Sequence, residues 1–439
     1  MQVMKFGGTS VRNAEALRSV SMIVREHALR TSGTVVVLSA TAGTTNALLV
    51  LAQLATSGRN YEREFADLQE RHLGIALELG LQHTAAEAIL DECRQRLEAA
   101  AILGECTNQT LDAIAGYGEL LSTQLFADFL SSLGINTIRV DARDVVITNN
   151  DFASAAVDLD ATARAAQRII KPLAESGSIV VTQGFIGATT TGIPTTLGRG
   201  GSDYTAALLG RSLGASEIQI WTDVSGVYSC DPRIVPDAEP LASISFDDVR
   251  TLALYGAKVL HPETVQPAVE AGIPVRVLNT FEPTAAGTII TAEQTAQQAV
   301  TALAILRPCL SIHTSTGGAQ AIMAAPHLRE QTAMQIATKN GHMVVVHAPH
   351  EDIATDINVA LVGFGGTIEP AACIALCGAD VAAPSALAQI AARLCDFADT
   401  TVTSVLQPRC VLVTVPLERA IDACKALHHV VSSSSSSAS

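Results

Sequence analysis

Short apolar runs alternate with longer segments of helical periodicity over roughly the first 290 residues, and this alternation constrains the fold more than any other feature of the chain. Alternating strands and helices favour an α/β layer with a mostly parallel sheet. Several of the runs are apolar throughout, as strands covered on both faces must be. We predict strands at Gln2–Phe6, Thr34–Leu38, Ile135–Val140, Ser178–Thr182, Glu217–Thr222 and Ile273–Leu278. We predict helices at Ala14–Ala28, Asn46–Ala55, Ala155–Glu175, Tyr204–Leu213 and Phe246–Tyr255.

Two stretches interrupt or end this alternation. Glu62–Leu103 is rich in Leu, Ala, Glu and Arg and lacks Pro, so it predicts two or three inserted amphipathic helices. Thr280–Gln298 contains Pro283, Gly287 and a polar Ala/Gln/Thr stretch, which is typical of a domain boundary. We therefore predict a first domain over residues 1–292 and a second region over residues 299–430.

The second region shows a β-α-β-β-α order, which is the outline of a small ferredoxin-like α+β layer. Its predicted segments are a strand at Cys373–Cys377, a helix at Ser385–Phe397, strands at Val402–Leu406 and Cys410–Val415, and a helix at Leu417–His428. Residues 301–362 carry a much weaker second copy, so the region divides into units at 299–368 and 369–430. Six consecutive serines from Ser432 predict a disordered tail over residues 431–439.

Charge and cysteine usage limit the classes of function. The net charge of −15 leaves no basic excess to meet phosphate backbones, which argues against general nucleic-acid binding. The nine cysteines form no C-x-x-C pair and are typical of small core residues in a reducing compartment. The N-terminus shows no signal-peptide pattern, and no apolar run approaches the roughly 20 residues that span a bilayer. We expect a cytoplasmic protein without a membrane or nucleic-acid partner.

Four well-known motifs of nucleotide sites are absent from the sequence. There is no P-loop G-x-x-x-x-G-K-[ST] and no G-x-G-x-x-G after the first strand. The H-R-D and D-F-G motifs of protein kinases are missing as well. Any phosphate group must therefore be held in another way.

The first predicted strand leads directly into Lys5-Phe6-Gly7-Gly8-Thr9-Ser10. A cation, two glycines and hydroxyls that open a helix can form an anion site, because glycine lets backbone N–H groups approach a phosphate. The alternative is an ordinary strand–turn–helix with a serine N-cap. The same F-G-G-T string at Phe364–Thr367 lacks the lysine and a strong following helix, so we interpret it as a turn.

Two further polar segments follow the same logic. Ser39–Asn46 joins a strand end to a helix, and its hydroxyls can donate to a carboxylate or phosphate. Gly116 and Gly118 flank a helical stretch that carries Glu119, and each glycine lowers helix propensity by about 1 kcal/mol relative to Ala. Close approach of a ligand or helix would explain that cost, and Glu119 could then meet an ammonium group. The alternative for Ser39–Asn46 is a capped helix with solvent-facing hydroxyls, and the alternative for Glu119 is a solvated helix face.

The strongest single motif is Thr196-Leu197-Gly198-Arg199-Gly200-Gly201-Ser202-Asp203-Tyr204-Thr205-Ala206. Its arginine can hold a carboxylate through two hydrogen bonds, and the glycine-rich turn can present N–H groups to an anion. Asp203 could cap the following helix, orient a substrate amine or lie near a metal–phosphate complex. Arginine in so glycine-rich a turn favours a binding site.

The last two motifs follow the fifth predicted strand. Ile220–Arg233 contains Thr222-Asp223 at the end of the strand. Further along it contains Asp231-Pro232-Arg233, which predicts a turn that interrupts regular secondary structure. Within the longer segment, Tyr228 could line an adenine pocket and Arg233 could reach phosphates, whereas Trp221 is better explained as core. Gly256–Pro262 places Lys258 near a helix end, where the alternative is a surface lysine.

Together the motifs resemble those of the aspartate kinase (aspartokinase) family, in order and in approximate spacing. The matching strings are K-F-G-G-T-S-V, L-S-A-T-A-G-T-T-N, G-E-L-L-S, T-L-G-R-G-G-S-D-Y-T-A, W-T-D-V-S-G-V-Y-x-x-D-P-R and G-A-K-V-L-H-P. The resemblance is closest to the monofunctional, lysine-sensitive type. It implies the amino-acid kinase fold, a mostly parallel sheet sandwiched by helices, with an ACT-type region behind it. It also implies transfer of the γ-phosphoryl of ATP to the β-carboxylate of L-aspartate, the first step towards lysine, threonine, methionine and diaminopimelate.

The resemblance also implies roles for individual residues. Lys5, Asp203 and Lys258 would be catalytic, with Lys5 neutralising the transferring phosphoryl group and Asp203 orienting groups beside it. The aspartate contacts would be Ser39, Thr45, Glu119, Arg199, Gly200, Gly201 and Ser202. The nucleotide would be bound by Lys5, Gly7, Gly8, Thr222, Asp223, Tyr228, Arg233, Lys258 and Val259. Magnesium would arrive with ATP, so no protein metal site is expected, and a homodimer through the ACT-like region is implied.

The second region departs from the family. Its first unit lacks the effector-site pattern, roughly N-I-S-V-D followed by hydroxyl residues, and residues 350–362 are the nearest counterpart without matching it. We therefore predict weak or absent feedback by lysine. Two other interpretations remain open: a kinase of the same fold acting on acetylglutamate, glutamate or UMP, and a catalytically inactive amino-acid sensor subunit.

Overall fold

The computed structural model describes residues 1–31, 33–82, 84–257, 260–292, 300–338, 341–400, 402–407 and 409–433. The chain divides into two compact units. The first unit comprises residues 1–226 and 261–292, and the second comprises residues 227–260 and 293–439. The change of unit at residue 292 coincides with the predicted end of the first domain, but residues 227–260 belong to the second unit.

The elements are numbered in chain order. Up to residue 226 the strands are β1 (Gln2–Phe6), β2 (Thr34–Leu38), β3 (Thr137–Val140), β4 (Ile147–Thr148), β5 (Ile179–Gln183), β6 (Ile186–Thr189), β7 (Pro194–Thr196) and β8 (Glu217–Thr222). The helices there are α1 (Ala14–Ala28), α2 (Thr44–Thr56), α3 (Glu62–Glu78), α4 (Thr84–Leu103), α5 (Asn108–Ala115), α6 (Tyr117–Ser132), α7 (Leu159–Glu175) and α8 (Gly201–Leu213).

The remaining elements follow in the same order. Between residues 227 and 292 lie β9 (Ser243–Ser245), α9 (Phe246–Leu254), α10 (Gln266–Glu270), β10 (Val275–Asn279) and β11 (Thr288–Thr291). Beyond them the strands are β12 (Ala302–Thr314), β13 (Thr332–Thr338), β14 (Gly341–His347), β15 (Gly366–Cys377), β16 (Val402–Gln407) and β17 (Cys410–Pro416). The helices there are α11 (Thr316–Ala324), α12 (Pro326–Gln331), α13 (Asp352–Ala360), α14 (Pro384–Arg393) and α15 (Ala420–Ser433).

The main sheet of the first unit confirms the predicted parallel α/β layer. Its strands follow the order β3-β5-β2-β1-β8-β10-β11, with all neighbours parallel except β10 and β11. Strands β1 and β2 are buried along their whole length, and in β1 this includes the polar residues Gln2 and Lys5. Because β1 has β2 on one side and β8 on the other, the chain reverses its direction across the sheet at β1, where open α/β sheets bind ligands.

Local signals explain where the helices of this unit begin. The predicted inserted helices are α3 and α4. Helix α7 begins at Leu159 rather than Ala155, because the Asp158 side chain accepts a hydrogen bond from the Ala161 N–H and caps the helix. Trp221 is 1% exposed and its ring stacks on Phe6 at 5.7 Å between centroids, which confirms its interpretation as a core residue.

The second unit contains one antiparallel sheet with the order β13-β14-β12-β15-β17-β16. It is formed by two modules, which have the order β-α-α-β-β-α from β12 to α13 and β-α-β-β-α from β15 to α15. Strands β12 and β15 pair over their full length, with a register shift between Leu306 and Cys309. One hydrophobic core lies around Leu303, Ile374 and Val413 and the other around Ile312 and Val344, so each long strand serves both modules.

Three smaller findings complete the second unit. The Phe364–Thr367 string forms the turn into β15, as interpreted. Helix α15 extends to Ser433 and buries Val431, which the sequence analysis placed in the tail, while residues 434–439 lie outside the described part. No helix among the described residues is both long and apolar enough to cross a membrane.

Candidate active site

Three of the predicted motifs meet at one edge of the main sheet. In the register of the sheet, Phe6 lies opposite Leu38 on one side and opposite Trp221 on the other. The segments that follow these three residues therefore begin at the same level, at the carboxyl ends of adjacent parallel strands. The loop after β2 then packs against the turn after β1, because the Ala42 N–H donates to the Gly8 carbonyl at 3.1 Å.

Lys5 forms an ion pair at this edge. Its ammonium nitrogen lies 2.7 Å from Oδ1 of Asp203, and the two side chains are 10% and 17% exposed. Asp203 stands in the first turn of α8, whose N-cap is Gly200 without a side-chain cap, so Asp203 does not cap the helix. The carboxylate is instead available to fix the lysine, whose charge faces a cleft.

The two glycines after β1 differ in what they allow. The Gly7 N–H donates to the Trp221 carbonyl at 3.1 Å. This N–H is therefore already used inside the fold, and a role of Gly7 at the nucleotide stays a prediction. A Cβ at Gly7 would still lie 3.6 Å from the Lys5 nitrogen, and one at Gly8 would lie 2.8 Å from the Ala40 carbonyl oxygen. Glycine thus permits close approach of the backbone here.

Glu119 is buried in α6 with half of its carboxylate unpaired. The residue is 3% exposed, and its Oε1 accepts a hydrogen bond from the Ala40 N–H at 3.0 Å. Its Oε2 is buried and has no hydrogen-bond partner among the described residues. Burial raises the pKa of this carboxyl to about 8, against the lowering effect of the Ala40 N–H. The alternative of a solvated helix face is therefore wrong.

The glycines around Glu119 bring the start of α6 close to two neighbours, the loop after β2 at Gly118 and strand β6 at Gly116. A Cβ at Gly118 would lie 2.7 Å from the Ala40 Cβ, and one at Gly116 would lie 3.1 Å from Ile186 Cγ2. The close approach explains why the sequence accepts two poor helix formers there. It also sets the distance at which Glu119 can reach the Ala40 N–H.

The Arg199 turn has the left-handed backbone that its glycines predict. Gly198 and Gly200 have φ values of 74° and 73°. A Cβ at Gly200 would meet Thr264 Cγ2 at 2.6 Å, and one at Gly201 would meet Phe185 Cδ2 at 2.9 Å. Arg199 is exposed at the cleft, and no ion pair or hydrogen bond of its side chain occurs within the described residues.

The loop after β2 is fixed by a chain of buried polar groups. The Thr41 hydroxyl lies 2.6 Å from that of Thr44 and 3.2 Å from Nε2 of His72, whose Nδ1 contacts the Leu68 carbonyl at 2.8 Å. Burial lowers the pKa of His72 to about 4, so its imidazole is neutral at physiological pH. Sequence reasoning missed His72, since a lone histidine in a helix carries no distinguishing pattern.

A cleft of about 600 Å³ joins these parts within the first unit. Ten of the predicted site residues line it: Lys5, Gly8, Ser39, Thr45, Glu119, Arg199, Gly200, Gly201, Ser202 and Asp203. Volumes of this order suit small-molecule sites. The sequence analysis missed several other lining residues, among them Asp112, Ala153 and Phe185, and it gave no separate role to Thr196.

Two of the missed residues have unusual backbones. Ala153 and Phe185 have φ values of 75° and 68°, and they are the non-glycine residues with positive φ in the described chain. Such conformations cost roughly 1–3 kcal/mol each and persist only where surrounding contacts impose them. Both line the cleft, so strain is concentrated at the site. Neither residue type gives a sequence signal for this conformation.

Of the predicted nucleotide-binding residues that the structure describes, Lys5 and Gly8 line the cleft, and the others do not. Thr222 is the last residue of β8 and Asp223 follows it, and the Thr222 hydroxyl donates to Asp223 Oδ1 at 3.2 Å. Tyr228 and Arg233 belong to the second unit, where the Arg233 guanidinium pairs with Asp231 at 2.7 Å and is thus already engaged. Lys258 and Val259 lie outside the described residues. No group of three or more His, Cys, Asp or Glu side chains in the described part could hold a metal ion.

A family model, curated relatives and solved structures match this chain. Residues 1–279 match the amino acid kinase family. Aspartokinase 1, chloroplastic, of Arabidopsis thaliana is 40% identical over 296 residues, which are 66% of this chain and 52% of the relative. The chain thus spans about half the length of that curated relative.

Two solved structures of Escherichia coli aspartokinase III cover 98% of this chain and 99% of their own. The complex with aspartate and ADP has a TM-score of 0.77 at 29% identity. The complex with lysine and aspartate has a TM-score of 0.82 at 30% identity.

Proposed function

Because the chain belongs to the amino acid kinase family, and within it to the aspartokinases, we propose that it transfers the γ-phosphoryl group of ATP to the β-carboxylate of L-aspartate. The product is 4-phospho-L-aspartate, and ADP is released. One observation carries the proposal: the cleft brings a buried, half-unpaired carboxylate and a glycine-flanked arginine to the same cavity as an ammonium group. These are the charges that an amino acid with a second carboxylate and a phosphoryl donor require.

Glu119 and Arg199 supply the recognition of the amino acid in this proposal. An ammonium group beside Glu119 Oε2 satisfies the unpaired oxygen and favours its charged form, which lowers the raised pKa of Glu119. The Arg199 guanidinium can hold the α-carboxylate through two parallel hydrogen bonds. Ser39, Thr45 and the 200–202 turn line the same cleft and complete the binding surface.

Lys5 and Asp203 supply the electrostatics of the transfer step. The β-carboxylate oxygen of aspartate attacks the γ-phosphorus, a new P–O bond forms, and the bond to the bridging oxygen of ADP breaks, with its electron pair leaving on ADP. No side-chain nucleophile is needed, because positioning and charge stabilisation account for most of phosphoryl-transfer catalysis. Asp203, 2.7 Å from the Lys5 nitrogen, holds the ammonium where charge spreads over the phosphoryl oxygens.

ATP enters this proposal as the magnesium complex, so the metal is part of the substrate. The strand-end position of Gly8, Thr222 and Asp223 supports a nucleotide along the edge of the sheet. The proposal also assigns nucleotide binding to four further residues: Tyr228, Arg233, Lys258 and Val259.

An ADP-release assay with four acceptors tests the function. We expect ATP-dependent ADP release with L-aspartate and little with glutamate, acetylglutamate or UMP. Glu119→Gln and Arg199→Ala should each raise the KM for aspartate by about tenfold or more, since each removes a charged hydrogen-bond partner. A protein that prefers another acceptor would show a different kinase of this fold, and one that is inactive with all four would be a sensor subunit.

A further inference from the structure

Asp112 is a buried carboxylate without a cationic partner among the described residues. It stands in α5 and is 3% exposed. Its two oxygens accept hydrogen bonds from the Ala153 N–H at 3.0 Å each and from the Thr196 N–H at 2.9 Å. The Thr196 hydroxyl donates a further bond to Oδ1 at 2.8 Å. Backbone and hydroxyl donors from two separate segments thus satisfy one carboxylate.

These bonds fix two segments against each other. The Ala155 N–H donates to the Thr196 carbonyl at 2.9 Å, so the 153–155 loop and the end of β7 are joined beside the carboxylate. Ala153 is one of the two left-handed non-glycine residues, and its N–H is held by Asp112. The carboxylate therefore contributes to the contacts that hold this strained residue in place.

The joined segments support the Arg199 turn. Thr196 is three residues before Arg199, and the intervening Gly198 packs so closely that a Cβ there would lie 3.2 Å from the Ser154 hydroxyl and 3.4 Å from the Ala153 carbonyl oxygen. The turn therefore rests on the loop that Asp112 holds. A shift of that loop would move the guanidinium.

The same residue is linked to the helix that carries Glu119. The Asp112 carbonyl accepts a hydrogen bond from the Gly116 N–H at 3.1 Å, and the Gly116 carbonyl accepts from the Leu120 N–H at 3.2 Å. Asp112 thus connects the start of α6 with the end of β7. In the proposed function these two elements hold the ammonium and the α-carboxylate of one substrate.

We propose that Asp112 is a positioning residue that sets the separation of Arg199 from Glu119 and so determines the affinity for the amino acid substrate. This inference rests on the proposed function. It acts through the backbone of the Arg199 turn and requires no contact of Asp112 with the substrate. Its signature is a change in aspartate binding that depends on the presence of the Arg199 side chain.

Steady-state kinetics of Asp112→Asn test the proposal. Asparagine keeps the size but replaces one acceptor oxygen by an amide that cannot accept from the Thr196 or Ala153 N–H. We expect the KM for aspartate to rise by about tenfold or more, since buried donors lose their acceptor. We expect the KM for ATP to stay within about twofold of the wild type.

Asp248→Asn is the matched control. Asp248 is 1% exposed and pairs with Arg409 at 2.6 Å within the second unit. Its substitution should lower the thermal midpoint while the KM for aspartate stays within about twofold of the wild type. An equal rise of the aspartate KM in both variants would show a general structural effect and overturn the proposal.

A double-mutant cycle with Arg199→Ala distinguishes a positioning role from a general structural role. It measures whether the effect of Asp112→Asn on the aspartate KM depends on the Arg199 side chain. Once the guanidinium is absent, Asp112→Asn should raise the aspartate KM by no more than about twofold further. Additive effects would overturn the proposal, as would an unchanged aspartate KM in Asp112→Asn.

If Asp112→Asn does not fold, Thr196→Val replaces it as the test, because it removes the hydroxyl donor and leaves the carboxylate. We expect a rise in the aspartate KM of about threefold, and an unchanged value would contradict the inference. Wild-type activity separates the two proposals. If the wild type releases no ADP with aspartate, the proposed function fails, whereas failure of the inference leaves that activity intact.

Discussion

At the scale of single residues, Lys5 carries the sharpest prediction. Lys5→Ala removes the ammonium that Asp203 holds and leaves an unpaired carboxylate beside the incoming phosphates. We expect kcat to fall by at least about a hundredfold, as for the loss of other charge-stabilising groups. Aspartate-dependent ADP release measures the effect, and circular dichroism checks that the fold is intact.

Lys171→Ala is the control for Lys5. Lys171 is 45% exposed on α7 and lies 3.9 Å from Glu175, one helical turn further along. Exposed pairs of this kind contribute about 0–1 kcal/mol, so activity should stay near that of the wild type. Near-normal turnover in Lys5→Ala would refute the assignment of this lysine.

Glu119 gives a prediction about pH. Its pKa is about 8 in the fold and 4.5 for an ordinary glutamate, so the folded protein holds a proton that the unfolded chain releases between these values. The stability that this proton contributes is fully present below pH 4.5 and is lost as the pH rises through 8. We expect the thermal midpoint of the wild type to fall relative to that of Glu119→Gln between pH 5 and pH 9, as measured by scanning calorimetry.

Comparison with Glu119→Gln isolates this group, because the other titratable groups are common to both proteins. A constant difference in midpoint over that pH range would show that Glu119 is not held protonated. Saturating aspartate should reduce the loss at high pH, since the substrate ammonium stabilises the charged form.

Site residues could be predicted from the sequence where the residues next to them in the chain depart from ordinary strand or helix preferences. Lys5 at a strand end, the glycines around Arg199 and the two poor helix formers beside Glu119 all departed from ordinary local preference. Asp112, Ala153 and Phe185 could not be predicted in this way, because their roles arise from contacts between distant segments. The occupied Gly7 N–H has the same origin, since its acceptor belongs to β8.

At the scale of elements, the packing of α6 on the loop after β2 predicts a strong effect of Gly118→Ala. The new methyl group would approach the Ala40 Cβ to 2.7 Å and push the helix from the loop. Overpacking of this kind costs about 1–3 kcal/mol. We expect a lower thermal midpoint and a raised KM for aspartate, because the displaced helix carries Glu119.

Gly74→Ala is the control for Gly118→Ala, because it adds a methyl group where there is space for it. Gly74 stands inside α3, and a Cβ there would have no neighbour within 4 Å. The substitution should raise the free energy of unfolding by up to about 1 kcal/mol and leave the kinetics unchanged. Equal destabilisation of both variants in urea unfolding would contradict the packing argument.

The elements themselves were predictable where one local signal dominated. The predicted bounds of β1, β2 and β8 matched the structure residue for residue, since most residues of these strands are buried. The first module of the second unit was weak in the sequence for a physical reason. Its strands β12 and β15 run through both modules, so its core residues are not contiguous in the sequence, and the pairing of the two strands shifts register after Leu306.

At the scale of the whole molecule, the diverged first module predicts weak feedback. We expect millimolar lysine to leave aspartate-dependent ADP release nearly unchanged, because the sequence from 350 to 362 lacks the effector pattern of the family. Helix α13 occupies Asp352–Ala360 in this stretch. Strong inhibition by lysine would contradict the prediction, and light scattering would test the expected homodimer.

Residues 227–260 belong to the second unit although the first unit flanks them in the sequence, and this affects how the gene can recombine. The chain passes between the units at residues 226, 260 and 292, and Cys230 and Val235 pack into the same core as Cys424 and Leu427. A single recombination event after residue 292 would therefore combine a C-terminal part from one parent with a core-forming insert from another. Viable hybrids should need both pieces from one ancestor, so the part of such a gene that encodes the second unit is exchanged less freely than its linear map suggests.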